Sequence, residues 1–167
     1  MKIILESLYS YKGYKMQDRY RFRAKDINYG KWLYGAYLKM LPYTPAPVGD
    51  RDIPEKDYKH LIINEEFSDW NMPRGIRAFE VDKETVCQST GLCDKNGNLI
   101  YENDIVKVPC GLFVIQYCEE CKSFQCFYPK YGCFACLGDY LWGEFIDDLT
   151  ECEVVGNIFD DDMEKLA

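Results

Sequence analysis

The chain has 167 residues, 47% of them hydrophobic, enough for one globular core or two small lobes. Its net charge of −8 is uneven: residues 1–85 carry 15 Lys+Arg against 13 Asp+Glu, and residues 86–167 carry 5 against 15. The acidic half repels phosphates and makes a poor nucleic-acid surface, no apolar run approaches membrane-spanning length, and Ile3-Ile4-Leu5 is too short for a signal-peptide core.

The elements follow in chain order. Tyr20, Phe22 and Ala24 alternate with Arg19, Arg21, Arg23 and Lys25, which predicts a strand with one basic face. After a turn at 26–30, residues 31–40 predict a second strand, bulged at Gly35, so that 19–40 reads as a β-hairpin. Residues 42–57 hold four prolines and six charges and read as a long loop. Short strands are expected at 60–64 and 77–81. Asn96-Gly97 is a strong hairpin signal, read as a type I′ turn before the return strand Leu99-Ile100-Tyr101. Asn103 is a candidate for left-handed backbone in the next tight turn, followed by strands at 105–108 and 113–117. Residues 141–149 read as a helical turn or a loop, 153–159 as a closing strand and 160–167 as an acidic tail.

Aromatics make up 16% of the chain, which favours pleated, half-buried surfaces. The expected fold is mainly β, or a β-rich α+β form. It comprises an N-terminal antiparallel β meander in 1–85 and a small barrel or curled antiparallel sheet in 86–167, the latter with a cysteine-rich hairpin.

Three stretches carry a resemblance: Arg21-Phe22-Arg23-Ala24-Lys25-Asp26 with Lys31-Trp32-Leu33-Tyr34-Gly35; the long run from Val81 through Thr90-Gly91-Leu92-Cys93-Asp94-Lys95-Asn96-Gly97 to Tyr101-Glu102-Asn103-Asp104-Ile105-Val106; and Glu153-Val154-Val155-Gly156-Asn157-Ile158-Phe159. In these the chain resembles the YopX-like family of bacteriophage and prophage proteins. The resemblance implies a meander with an SH3-like barrel and a phage or prophage origin. It brings no catalytic residues. The chain departs from the family pattern at Asn103, where glycine is usual, at Cys87 and Cys93, and in an extension covering Met1 to Asp18.

Cys118 and Cys121 are spaced C-x-x-C, as are Cys133 and Cys136, with eleven residues between the pairs. Four thiolates so arranged suit tetrahedral Zn²⁺, but the aromatic neighbours favour buried strand cysteines, and no metal is the preferred reading. An odd count of nine cysteines argues against a disulfide framework. The basic face of Arg19, Arg21, Arg23 and Lys25 suits a phosphate backbone, with Tyr20 and Trp32 for base stacking; a solvated or carboxylate-paired face is the plainer account. His60, the single histidine, reads as an ordinary strand start. No nucleophile-elbow, phosphate-loop or zinc-protease motif occurs. The expectation is a cytoplasmic, non-enzymatic accessory protein acting through macromolecular binding or self-assembly. Its expected partners are its own copies or an unknown host or phage protein, with no membrane. The alternative is a nucleic-acid-binding module with a structural zinc knuckle.

Overall fold

The computed structural model describes residues 20–43, 53–65, 75–109, 111–120, 122–128, 133–136 and 152–160. They form eleven strands, joined by turns and two short 3-10 segments, so the chain is mainly β. No helix among them is long and apolar enough to cross a membrane. Two compact units divide between Cys87 and Gln88.

In the first unit, β1 (Phe22–Lys25), β2 (Trp32–Met40), β3 (Lys59–Glu65) and β4 (Ile76–Glu80) are antiparallel neighbours in the order β4-β3-β2-β1. Asp26 shapes the β1–β2 turn: its carboxylate accepts from the backbone N–H groups of Asn28 and Tyr29, both at 2.8 Å, and Gly30 takes φ +65°. The described end of the proline-rich loop is a 3-10 turn at Glu55–Asp57, directly after Pro54. The expected bulge at Gly35 is absent. Pairing runs unshifted from Lys25↔Trp32 to Phe22↔Gly35 and from Ala36↔Ile63 to Met40↔Lys59. Glycine is required for another reason: a β-carbon there would sit on the backbone carbonyl of Ile63.

Strand alternation sorts this sheet. Ala24, Ile62 and Val81 form the buried core, with Phe22, Leu33, Tyr37 and Val86 packed against it. Cross-strand partners share a face, so Tyr34, Ala36, Leu38 and Met40 of β2 lie opposite that core, with Ile76 and Ala78 of β4. An isolated bridge, Asp26↔Val81, ties the end of β4 to the end of β1. Backbone bonds from Asp82 N–H to the Lys25 carbonyl (2.9 Å) and from Ile27 N–H to the Glu80 carbonyl (3.3 Å) reinforce it.

The second unit opens with a hairpin of β5 (Cys87–Cys93) and β6 (Leu99–Tyr101). Its five-stranded sheet runs β10 (Cys133–Cys136), β9 (Ser123–Tyr128), β8 (Gly111–Cys118), β7 (Asp104–Val108), β11 (Glu153–Asn157). The order is linear, and no closed barrel forms among the described residues. Ile100, Val106, Phe113, Ile115, Cys126 and Cys152 make its core.

The Asn96-Gly97 hairpin differs from the expected type I′ form, which needs positive φ at Asn96 as well. Among the described non-glycine residues only Asn103 and Lys122 have positive φ. Instead Gly97 N–H donates to the Asp94 carbonyl (3.0 Å), Asp94 N–H donates to the Asn98 carbonyl (2.8 Å), and Gly97 alone is left-handed at φ +83°. This is the three-residue loop, a type I turn followed by a left-handed glycine. Asn103 takes the expected left-handed conformation, φ +64°. The readings for 141–149 and 161–167 lie outside the described residues.

Candidate functional site

The most site-like feature of the first unit is a cleft of ≈ 490 Å³ beside the Asp26↔Val81 bridge, with Lys25, Asp26, Tyr58, His60, Glu80 and Lys83 on its walls. The acids there are largely engaged. Asp26 caps the β1–β2 turn, Asp82 accepts from Glu84 N–H at 3.0 Å, and Glu80 takes the ammonium of Lys59 at 2.6 Å.

His60 is the least ordinary group on this wall. It is nine-tenths buried. Its Nδ1 lies 2.5 Å from the hydroxyl of Tyr37, and the two rings stack with centroids 5.9 Å apart. Its Nε2 is buried without a hydrogen bond, 3.4 Å from Oε1 of Glu55. Glu55 is held from its other oxygen by Lys39 at 2.7 Å. That hydrogen bond holds the Glu55 carboxyl below the usual carboxylate range, against a smaller opposing effect of burial. Burial raises the Tyr37 hydroxyl above its ordinary value, with Lys39 opposing. The chain Tyr37–His60–Glu55–Lys39 escaped the sequence reading because its members lie on two strands and a loop. Alternation placed Tyr37 and His60 on strands, but their mutual register is written in no local pattern.

The basic stripe is rearranged. Arg19 lies outside the described residues, and Arg21 is exposed. Arg23 is 8% exposed, not solvated as the alternation suggested. Its guanidinium carbon stands 4.8 Å from the centroid of Trp32, and the ammonium of Lys25 stands 5.4 Å from it. A planar guanidinium over an indole gains a cation–π contact, which favours burial of the arginine and covers the ring expected to stack on bases.

Of the four predicted zinc ligands, Cys121 lies outside the described residues. Cys118 is half-buried at the end of β8, and Cys133 and Cys136 terminate β10. Strand β9 runs between them, pairing Cys118 with Ser123 and Cys136 with Gln125. No group of three His, Cys, Asp or Glu among the described residues is placed to hold a metal. Cys87, Cys126 and Cys152 are buried, and burial pushes the Cys152 thiol up to about 11.

The long sequence motif assembles a polar circuit in the second unit. The Asp94 carboxylate accepts from the N–H groups of Asn96 (2.9 Å) and Asn98 (2.8 Å), and across to Val154 at 3.3 Å. Asp104, fully buried, accepts from Tyr101 N–H (2.8 Å) and from the Asn157 amide (3.3 Å). Ile158 N–H donates to the Asn103 carbonyl at 3.1 Å. Residues 94–104 and 153–158 are thereby one structural element. A family model described as YopX protein matches residues 21–164. The chain belongs to the YopX family. No curated protein matches it. In this YopX-family chain both described units fall within the matched span, and the polar motif residues act on backbone geometry.

Proposed function

We propose that this YopX-family chain is a non-enzymatic accessory protein of a phage or prophage, acting in the cytoplasm by self-assembly or by binding a host or phage protein. The observation that carries the reading is the outer face of the meander. Tyr34 is 48% exposed, Leu38 39%, Met40 38% and Ile76 77%, all on one face by strand register. The same face carries Lys25, Lys59 and Glu80, so Tyr34, Leu38, Met40 and Ile76 form an apolar patch rimmed by charge, the pattern of a surface that meets a partner. The cytoplasm suits the thiols of Cys87, Cys93, Cys118, Cys126 and Cys152 among the described residues. The second unit, in this reading, is an SH3-like scaffold.

Nucleic-acid binding through the β1–β2 hairpin, with a zinc knuckle at Cys118, Cys121, Cys133 and Cys136, is the second reading. Exposed Arg21 and Tyr29, the latter 80% exposed, favour it. Native mass spectrometry under reducing conditions separates the two. Oligomers, or complexes with a protein partner, that dissociate in a Leu38→Glu/Ile76→Glu variant support the first. Stoichiometric zinc and co-purified, salt-releasable nucleic acid support the second. A monomer that takes no partner and is unaffected by the double substitution overturns the first.

A further inference from the structure

The buried Nε2 of His60 lacks a hydrogen bond although a carboxylate stands 3.4 Å away. Buried polar atoms are nearly always satisfied, so an orphan at this distance marks a contact one state of the protein does not complete. We propose that His60 is a pH-sensitive latch: protonation of its ring clamps the Glu55–Asp57 turn onto the meander, and deprotonation loosens it.

The atoms dictate the direction. In the neutral ring Tyr37 donates its hydroxyl proton to Nδ1, which leaves the ring proton on Nε2, 3.4 Å from Glu55 Oε1 and not yet aligned to bond it. On protonation Nδ1 also becomes a donor, and the Tyr37 oxygen turns to accept from it. The ring then carries a full charge, and the contact to Glu55 becomes a charge-assisted hydrogen bond, roughly twice as strong as a neutral one. Glu55 is ready for it. Lys39 donates to its other oxygen and keeps its carboxyl below the usual range, which favours the anion that a charged ring would meet.

The other groups around the ring are balanced. On its side of the turn they are Lys39 of β2 and Tyr58, over whose ring the Lys39 ammonium stands at 4.5 Å. Asp57 of the turn is engaged by the Tyr43 hydroxyl at 3.3 Å. On the cleft walls they are Lys25, Asp26, Glu80, Asp82 and Lys83, with Lys59 on Glu80. Lys25, Lys59 and Lys83 offset Asp26, Glu80 and Asp82, and Asp57 is turned to Tyr43, which leaves Glu55, 3.4 Å from the ring, as the carboxylate that decides the response. Since His60 and Tyr58 both line the cleft, the latch also sets the position of its wall.

His60 is the one histidine of the chain, so its ring gives a single, unambiguous pair of NMR signals. The test follows those signals with pH on the full chain, together with hydrogen-exchange protection of the Asp57 and Tyr58 amides, which donate to the carbonyls of Pro54 and Glu55. The expected result is a several-fold rise in protection of both amides on acidification, in step with the ring titration. The rise is lost in His60→Asn, whose side-chain oxygen still accepts from Tyr37, and in Glu55→Gln, where the ring still titrates. If His60→Asn does not fold, Glu55→Gln, at an exposed side chain, decides alone. Protection that ignores the ring titration in the unmodified chain, or that still rises in Glu55→Gln, overturns the latch.

Discussion

At Gly35 the limit is steric. The strand passes so close to Ile63 that even a methyl group would overlap its carbonyl, and a backbone atom cannot swing away as a side chain can. Gly35→Ala is therefore expected to cost about 2 kcal/mol or more, despite alanine's better strand entropy, with a matching fall in the urea midpoint. Asp104 is limited by chemistry instead. Replacing it with alanine leaves the Tyr101 N–H and the Asn157 amide without this acceptor in a site fully closed to water. Each orphaned buried donor costs about 1–3 kcal/mol, which outweighs anything the smaller side chain saves in burial. Asp104→Ala should accordingly unfold at lower urea than Asp104→Asn, which retains one accepting oxygen.

At the scale of elements, the β5–β6 hairpin carries an acid sensitivity. Burial acts to raise the Asp94 carboxyl, but hydrogen bonds from Asn98, Val154 and Asn96 outweigh it and hold the group below its ordinary value. A carboxyl depressed on folding contributes its stability above the ordinary carboxylate range and loses it as pH falls through the lower, folded value. Asp94→Asn should thus be less stable than the unmodified chain at pH 7, and the gap should narrow as pH falls below the ordinary carboxylate range and through the lower, folded value of Asp94. Stability curves at a series of pH values read this directly. Most strands were legible in the sequence because their alternation is local: 60–64 and 153–159 contain or overlap the observed β3 and β11, and Asn103 announced its own backbone angle. What was not legible depended on distance in the chain. Arg23 looked solvated until Trp32 was set beside it, Gly35 looked like a bulge until Ile63 was set behind it, and the Tyr37–His60–Glu55 contact needed three separate segments in register.

For the whole molecule, the thiols supply a probe of integrity. Cys93 is exposed, while Cys87, Cys126 and Cys152 are buried, and Cys152 is further protected because its thiol is pushed up to about 11 and so holds little thiolate at neutral pH. Iodoacetamide at pH 7.5 should label Cys93 before Cys87, Cys126 and Cys152, and leave Cys152 unmodified until urea opens the second unit. Peptide mapping by mass spectrometry gives the order. Early labelling of Cys152 would mean that its core opens far more often than its burial implies.

The circuit that joins Asp94, Asn103 and Asp104 to Val154, Asn157 and Ile158 has a consequence for synthesis. Asp104 meets Asn157 across 53 residues of chain, whereas the first unit is pinned by Val81, 55 residues after the Asp26 it pairs with and before any strand of the second sheet is made. On the ribosome, then, the meander can close while the rest is still being translated, but the second sheet must wait for β11. Throughout that interval β7 has one open edge and Asp104 lacks its amide partner from Asn157. A pause before codon 157 prolongs the most aggregation-prone state of the nascent chain, and it is there that a chaperone would have most to hold.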